Sequence, residues 1–367
     1  MNQKHKHQPV KILIAASGSG GHLLPSRLVA EEIKQQCPAA VIEFIGSGRP
    51  LEKEIIEKYG FVVRHIDVVN PAGRSIVRLL GFSLSFFKSI AQSWNIISEF
   101  KPDVVVGMGG YVSIAPVIVA RLRGVPVWIH EAELKAGAAN RLLAYFATRI
   151  SVAFEKTEIP CSKKVFYSGH PLRKELKTFK NMLVKETPVK NILILGGSQG
   201  AESFDKLGVA LIPFWKEKNL SIWHQCRPDN QEMLKKAYAE AGCNARVESF
   251  IHDMAEAYSW SDLIISRAGA GAVMEIGVVN KPAILIPFPF AANNHQVDNA
   301  RVLAERGKAL LIIEEQGLEQ KVKSAVLKLL NLKNYRSMQK QPVLNRSLNA
   351  SEEIATQILT LAGTAAL

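Results

Sequence analysis

Short apolar runs rich in valine and isoleucine alternate along the chain with longer amphipathic segments. In the first half, the predicted strands are Val10–Ala16, Val41–Gly46, Val104–Gly107, Val125–His130 and Arg149–Ala153. The predicted helices between and after them are Pro25–Gln36, Leu51–Tyr59, Ile76–Phe100, Ile114–Arg123 and Gly137–Phe146. Continuous apolar runs of this length are typical of parallel strands buried on both faces. Strands that alternate with helices predict a doubly wound α/β domain.

The same alternation starts again after a charged segment. The strands predicted in the second half are Asn191–Leu195, Ser221–Gln225, Arg246–Phe250, Asp262–Ser266 and Ala283–Pro287. Helices are predicted over Ala201–Lys218 and Leu348–Leu361, and Gly169–Lys190, which carries Pro171 and Pro188, is predicted to be a linker. The expected fold class is therefore α/β, with two Rossmann-like doubly wound domains.

Each half opens with a strand, a glycine-rich turn and a helix. The turns are Ser17–His22 and Gly196–Ala201. Ligands of open α/β sheets bind at the carboxyl ends of the strands, where helix N-termini favour anions. Two such domains that face each other across a cleft would direct both turns towards one ligand. Neither turn has the GxGxxG spacing or the GK[ST] sequence, which disfavours a dehydrogenase and a P-loop NTPase.

Charge and cysteine content narrow the functional classes. The chain has 46 Lys+Arg against 33 Asp+Glu, a net charge of +13, which favours anionic partners such as acidic lipids or phosphorylated ligands. No nucleic-acid motif accompanies this charge, so no nucleic-acid partner is expected. The four cysteines have spacings that suit neither zinc nor a disulfide framework. The polar N-terminus and the lack of a run of about 20 apolar residues predict neither secretion nor a membrane span.

A series of motifs follows in a fixed order along the chain. It consists of Ser19-Gly20-Gly21-His22 with Pro25, Gly107–Ser113, His130-Glu131, Gly169–Arg173, Gly196–Ala201, Phe250-Ile251, Arg267–Ala270 with Glu275, and His295-Gln296 with Asn299. In order and spacing, the series resembles the MurG-type family of GT-B glycosyltransferases over roughly residues 10–345. The resemblance implies inverting transfer of N-acetylglucosamine (GlcNAc) from UDP-GlcNAc to the 4-hydroxyl of MurNAc in undecaprenyl-pyrophosphoryl-MurNAc-pentapeptide. This reaction turns lipid I into lipid II in peptidoglycan synthesis.

The resemblance also implies a set of donor-binding residues. They are Ser19, Gly20, Gly21, Glu133, Arg173, Ser198, Phe250, Ile251, Ala270, Glu275 and Gln296. Glu275 matches a carboxylate that binds the ribose diol, for which its two acceptor oxygens are suited. Arg173 stays charged and presents a fork of donors to phosphate. The alternatives are a solvated charge for Glu275 and an ordinary surface arginine for Arg173.

The acceptor is expected in the first domain. The implied acceptor-binding residues are Ser19, Gly20, Gly21, His22 and Tyr111. We expect His22 to be the general base, since a histidine titrates near neutral pH; the alternative is that it only orients the loop or caps the helix. Tyr111 could instead be a packing residue. No metal and no cofactor are predicted, because Arg173 and helix N-termini could neutralise the departing UDP.

One position departs from the family pattern. Relatives commonly read His-Glu-Gln-Asn, whereas this chain reads His130-Glu131-Ala132-Glu133. An acid that replaces the donor-contacting asparagine would repel a diphosphate, unless Glu133 turns away or pairs with Lys135.

An apolar segment flanked by Arg74, Arg78 and Lys88 is expected to face the membrane. The predicted patch comprises Leu79, Leu80, Phe82, Phe86 and Phe87. Basic residues beside apolar ones suit anionic headgroups, although a buried core helix gives the same pattern.

Domain roles and partners follow from the resemblance. Residues 1–172 are expected to bind the acceptor and the membrane, 173–345 to bind UDP-GlcNAc, and 346–367 to form a helix that returns to the first domain. The expected partners are UDP-GlcNAc, undecaprenyl-linked lipid I, an anionic membrane surface on the cytoplasmic side, and cell-wall synthesis proteins. Three alternatives stay open: another GT-B enzyme that glycosylates a lipid such as diacylglycerol, a UDP-GlcNAc 2-epimerase, and a non-catalytic nucleotide-sugar-binding regulator.

Overall fold

The computed structural model describes residues 9–18, 20–68, 76–181, 184, 186–197 and 200–363, without the side chains of 76–84 and 292. The strands are β1 Lys11–Ala15, β2 Val41–Gly46, β3 Val62–His65, β4 Val104–Gly107, β5 Val127–Glu131, β6 Arg149–Val152, β7 Val165–Tyr167, β8 Asn191–Leu195, β9 Ser221–Gln225, β10 Ala245–Glu248, β11 Leu263–Ser266, β12 Ala283–Leu285 and β13 Ala309–Leu311. The α-helices are α1 Gly20–Gln36, α2 Pro50–Ile55, α3 Ile76–Phe100, α4 Ile114–Leu122, α5 Ala138–Leu143, α6 Glu202–Ala210, α7 Ile212–Glu217, α8 Gln231–Glu240, α9 Met254–Trp260, α10 Ala270–Val279, α11 His295–Ala304, α12 Leu318–Leu330, α13 Leu332–Gln339 and α14 Ala350–Leu361. The chain forms two compact units, Met1–Leu172 with Arg346–Leu367, and Arg173–Asn345.

The first unit is built on a parallel sheet in the order β3-β2-β1-β4-β5-β6-β7. The central strand β1 is buried on both faces: Ile12 and Ile14 belong to one core cluster, Leu13 and Ala15 to the other. Helix α14 packs against α1 and contributes Ile354 to the cluster of Ile12. The order reverses between β1 and β4, so the loops that follow these two strands lie side by side at the carboxyl edge.

The second unit repeats this plan with a parallel sheet in the order β10-β9-β8-β11-β12-β13. Its reversal point lies between β8 and β11, next to the loops that precede α6 and α10. Ile192 and Ile194 of β8 are fully buried in a core that includes Phe204 and Trp215. The predicted fold class, two Rossmann-like doubly wound domains, is confirmed.

The structure adds three short strands that the apolar pattern did not predict, namely β3, β7 and β13. All three are edge strands of three or four residues, and apolar runs as short as these do not by themselves distinguish a strand from a buried helix segment. The helix predicted over Ala201–Lys218 is two helices, α6 and α7. Pro213 at the start of α7 has no amide hydrogen for a helical bond to the preceding turn.

The predicted linker was wrong for much of its length. Lys174–Asn181 forms a 3-10 helix, and its buried Leu176 and Phe179 are three residues apart, the spacing that puts side chains on one face of such a helix. The Phe179 ring packs edge-on against Tyr258, with centroids 6.5 Å apart. This segment is therefore part of the packed second unit.

Across the described ranges, no helix is both long enough and apolar enough to cross a bilayer.

Candidate functional site

The ring of His22 lies at the reversal point of the first sheet. His22 stands in the first turn of α1, which begins at Gly20, five residues before the predicted start. The loop after β4 passes under the ring through Gly109 and Gly110, with φ of +93° and +77°. A Cβ on Gly109 would be 3.0 Å from Cε1 of His22, so glycine is needed there both for backbone conformation and for space.

Two further histidines are buried near His22. His130, in β5, approaches His170 at 3.3 Å between Nε2 and Nδ1, and its Nδ1 is 2.9 Å from Ser151 Oγ. The backbone amide of His170 donates to Ser347 Oγ at 3.0 Å. Burial, and secondly the charge that a protonated His22 would carry, lowers the pKa of His170 to about 3. Burial also puts the pKa of His130 well below its ordinary value, with smaller effects from His170 and His22. Both rings are therefore neutral at physiological pH.

Glu131 organises the loop that carries Glu133. The buried carboxylate accepts from the backbone amides of Glu133 at 2.8 Å and Gly137 at 3.1 Å, and from Asn140 Nδ2 at 3.1 Å. Asn140 also donates to the His130 carbonyl at 2.9 Å, which joins this loop to the histidines. Burial raises the pKa of Glu131 to about 7 against the opposing effect of these donors, so the carboxyl can exist in either protonation state near neutral pH.

The neutral histidines predict an acid-sensitive first unit. Below pH 6.5 the unfolded chain binds protons at His130 and His170, whereas the folded unit does not. The contribution of each histidine is thus fully present above pH 6.5 and falls by up to about 1.4 kcal/mol of unfolding free energy per pH unit below it, while protonation of the folded Glu131 near pH 7 offsets the loss from one of them. Hydrogen exchange of the slowest β5 amides would measure the net slope, and His170→Asn should lower it by up to about 1.4 kcal/mol per pH unit. A slope that is the same in the variant and in the unmodified protein would contradict the assignment.

In the second unit, Glu275 joins two residues that lie far from it in sequence. This α10 carboxylate is 8% exposed; its Oε1 accepts from Arg173 Nη1 at 2.6 Å and its Oε2 from the Tyr258 hydroxyl at 2.8 Å. Burial raises the pKa of Tyr258, which therefore stays a donor. The alternative of a solvated charge is wrong for Glu275. The arrangement holds a carboxylate of the middle of α10 and a guanidinium side by side.

Gln296 connects the loops after β11 and β12. Its Oε1 accepts from the backbone amides of Phe288 at 2.9 Å and Ala268 at 3.3 Å. Arg267 reinforces the connection by donating to the carbonyls of Ile286 and Pro287, both at 3.2 Å. The loops at this edge of the sheet are therefore held by side chains of the unit itself, which leaves the Gln296 amide group as its potential donor to a ligand.

The loop after β10 combines an exposed ring with a buried side chain. Phe250 is 50% exposed, and Ile251 beside it is buried. The predicted strand Arg246–Phe250 ends at Glu248 instead, which places both residues in a loop at the carboxyl edge. Ala270, the first residue of α10, is buried at the same edge.

The structure places the remaining predicted site residues unevenly. Tyr111 is 39% exposed at the start of a 3-10 turn, Tyr111–Ser113, so a buried packing role is excluded. Gly20 and Gly21 form the first turn of α1, whereas Ser19 and Ser198 lie outside the described residues.

The predicted membrane patch is described only in part. Phe86 is partly buried and Phe87 is 70% exposed, and the side chains of Leu79, Leu80 and Phe82 lie outside the described part. Among the described residues, no group of three or more His, Cys, Asp or Glu side chains is arranged to hold a metal ion.

Sequence reasoning missed Tyr258 and Asn140 as partners of site residues. Tyr258 lies 17 positions before Glu275, and Asn140 lies 9 positions after Glu131. Neither spacing forms a local motif, so only the tertiary fold identifies these contacts.

Comparison with known proteins agrees with this architecture. The N-terminal domain of glycosyltransferase family 28 matches residues 12–152, and its C-terminal domain matches 191–358. The UDP-N-acetylglucosamine–N-acetylmuramyl-(pentapeptide) pyrophosphoryl-undecaprenol N-acetylglucosamine transferase of Syntrophus aciditrophicus is 38% identical over 309 residues, 83% of this chain and 86% of the relative. The enzyme of that name from Nitratidesulfovibrio vulgaris is 36% identical over 307 residues, 82% and 84% of the two chains.

Solved structures give the same result. The crystal structure of Acinetobacter baumannii MurG has a TM-score of 0.76 at 29% identity and covers 96% of this chain and 100% of that one. A UDP-N-acetylglucosamine 2-epimerase, with a TM-score of 0.68 at 13% identity over 97% of each chain, shares the fold alone.

Two doubly wound domains with glycine-rich loops at their reversal points, matched by both halves of a glycosyltransferase family, define a glycosyltransferase of the GT-B class. Within that class, the chain belongs to the MurG-type family of N-acetylglucosaminyltransferases, and the predicted resemblance is confirmed.

Proposed function

We propose that this protein transfers GlcNAc from UDP-GlcNAc to the 4-hydroxyl of MurNAc in lipid I and inverts the anomeric centre. The observation that carries the proposal is that relatives named for this transfer match the chain at 36–38% identity through both domains. The 2-epimerase alternative has only a likeness of fold at 13–16% identity in its support.

We assign the donor to the second domain, residues 173–345. Phe250 and Ile251 would hold uracil, because the exposed Phe250 ring beside the buried Ile251 offers the base an apolar surface while main-chain groups of this loop would hydrogen-bond to its edge. The Glu275 carboxylate would accept the ribose hydroxyls through lone pairs that remain beside Arg173 and Tyr258.

The diphosphate would lie by Ser198, Ala270 and the glycine-rich loop, where a helix N-terminus and Arg173 supply positive charge. Gln296, whose oxygen serves the main chain, would donate its amide hydrogens to the transferred sugar. The positive charge of Arg173 and the helix N-terminus would assist the departure of UDP, because negative charge builds up on the diphosphate as the glycosidic bond breaks.

We assign the acceptor to the first domain, residues 1–172. Ser19, Gly20 and Gly21 would bind its pyrophosphate at the start of α1 and border the donor sugar, with Tyr111 nearby. His22 would take the proton from the 4-hydroxyl as that oxygen attacks the anomeric carbon. The neutral His130 and His170 add no positive charge that would hinder proton uptake by His22.

Glu133 stands where relatives carry a donor-contacting asparagine. We propose that it keeps a place near the sugar rather than the diphosphate. Its main-chain amide is fixed by Glu131, so the loop conformation does not depend on the replaced side chain.

A transfer assay tests the proposal against its alternatives. The purified protein would be incubated with UDP-GlcNAc and a short-chain lipid I analogue, and we expect a lipid II analogue together with UDP. Formation of UDP-ManNAc without an acceptor would support an epimerase instead. Transfer to diacylglycerol alone would indicate another lipid glycosyltransferase, and binding without turnover would indicate a regulator.

We further propose that the protein binds peripherally to the cytoplasmic face of the membrane, where it would also meet cell-wall synthesis proteins. Its donor is a soluble nucleotide sugar and its acceptor is a membrane lipid. The support in the structure is Phe87, which is 70% exposed on α3 next to the partly buried Phe86. Aromatic side chains beside cations suit an anionic headgroup region, where Lys88, which pairs with Asp67 at 2.7 Å in the structure, would exchange that partner for a lipid phosphate.

Vesicle flotation tests this membrane contact. Replacing Phe86 and Phe87 together by aspartate should lower binding to anionic vesicles by about tenfold or more, since it removes apolar contact and adds two negative charges. The matched control is Phe290→Asp in the second unit, at a ring that is 84% exposed, and it should bind normally. Unchanged binding of the double variant would show that α3 is not the anchor.

A further inference from the structure

The side chain of Gln225 connects two loops of the second unit. Gln225 is the last residue of β9, which lies between β8 and β10 in the sheet. Its Nε2 donates to the Gly197 carbonyl at 2.8 Å and to the Ser249 carbonyl at 3.3 Å. The first carbonyl belongs to the glycine-rich loop after β8, and the second belongs to the loop of Phe250 and Ile251 after β10.

Only the amide nitrogen can make both contacts, because both partners are acceptors. The side chain is 6% exposed, so water does not readily replace these hydrogen bonds. The hydrogen bond to the Ser249 carbonyl thus fixes where the loop after β10 begins relative to the end of β9.

The end of β9 is itself fixed in place. Asp205 of α6 is 1% exposed and accepts from the Arg227 amide at 3.3 Å and from Asn230 Nδ2 at 2.7 Å. Gly200, with φ of +70°, passes so close to Arg227 that a Cβ there would be 2.7 Å from its amide nitrogen. The β9 end thus contacts the glycine-rich loop twice and can act as a rigid spacer between the two loops.

We infer that Gln225 is a positioning residue for the nucleotide: its amide sets the spacing between the loop that holds uracil and the loop that holds the diphosphate. The inference rests on the proposed donor site and adds to it a residue that does not touch the ligand. A preorganised spacing matters only for a ligand that bridges both loops. In the proposed donor site UDP would bridge them, whereas uridine would reach only the loop after β10 of these two.

Affinities for UDP and uridine in Gln225→Met test this. Methionine keeps the length of the side chain and removes the donor. Loss of two ordinary hydrogen bonds should raise the Kd for UDP and the KM for UDP-GlcNAc about tenfold. The Kd for uridine, measured by NMR titration, and the kcat at saturating donor should stay within about twofold.

The matched control is Gln231→Met, because Gln231 Nε2 donates to the Val247 carbonyl at 3.4 Å, within β10 and before the ligand loop. This control should leave all four quantities within about twofold. Gln225→Glu keeps the shape of the side chain but presents oxygens to two carbonyls. It should weaken UDP binding more than Gln225→Met does and leave uridine binding unchanged, and it replaces the methionine variant in the test if that variant folds poorly.

If Gln225→Met weakens UDP and uridine binding equally, the substitution has disturbed the loop after β10 itself. If it leaves UDP binding unchanged, Gln225 has no role in positioning the nucleotide. Either result overturns the inference while the proposed function stands. If the unmodified protein binds neither ligand, the proposed function fails and the inference fails with it.

Discussion

Replacement of His22 by alanine lowers kcat by about 10² to 10⁴-fold and leaves the Kd for UDP within about twofold, if His22 is the general base. The ring lies at the reversal point of the first sheet, against Gly109 and Gly110, and belongs to the unit that we assign to the acceptor. We assign uridine binding to the second unit, so it should not respond. Single-turnover transfer rates and calorimetric titration with UDP measure the two quantities.

His22→Gln distinguishes a base from an orienting residue. Glutamine retains hydrogen-bonding capacity but does not accept a proton near neutral pH. If it is as slow as the alanine variant and loses the acidic limb of the kcat–pH profile, His22 transfers the proton. If glutamine restores most of kcat, or if UDP affinity falls together with kcat, His22 only orients the loop.

The second large effect is expected at Glu275. Its replacement by alanine should weaken UDP binding by about 100-fold, because the ribose would lose its acceptor. The same change leaves the Arg173 guanidinium and the buried Tyr258 hydroxyl without this partner, so the free energy of unfolding should fall by about 3 kcal/mol.

A nucleotide without ribose hydroxyls distinguishes loss of ribose recognition from a general loss of structure in the Glu275→Ala variant. The unmodified protein should bind 2′,3′-dideoxy-UDP about tenfold or more weakly than UDP, whereas Glu275→Ala should bind both nucleotides equally. Glu275→Gln, which keeps an acceptor for Tyr258 but loses the charge, is the matched control with intermediate affinity. If the alanine variant still prefers UDP over the dideoxy nucleotide as strongly as the unmodified protein does, Glu275 does not contact the ribose.

The central strands were predictable because their burial is recorded in the residues themselves. Runs such as Val104–Gly107 and Asn191–Leu195 are buried on both faces, and their predicted bounds agree with β4 and β8. The edge strand Ala309–Leu311 was missed although Ala309–Ile313 is a continuous apolar run, because a run of this length does not by itself distinguish a strand from a buried helix segment. Gly169–Lys190 was misread because charge and proline concealed the two apolar residues that attach it to the second unit.

The site was predictable as a set of loops but not as a set of contacts. A strand followed by glycines and a helix identifies the carboxyl edge of a sheet, which is how the loops at His22 and Gly197 were found. The pairing of Arg173 with Glu275 spans 102 positions, and the approach of His170 to His130 spans 40. Such contacts depend on how whole strands and helices pack, which local sequence does not encode.

The central claim is that the second domain holds the uridine nucleotide and thereby presents GlcNAc for transfer. A crystal structure with UDP bound tests it most directly. We predict uracil against Phe250 and Ile251 and the ribose hydroxyls within hydrogen-bonding distance of the Glu275 carboxylate. UDP bound in the first domain, or in the second domain away from Ile251 and Glu275, would contradict the account.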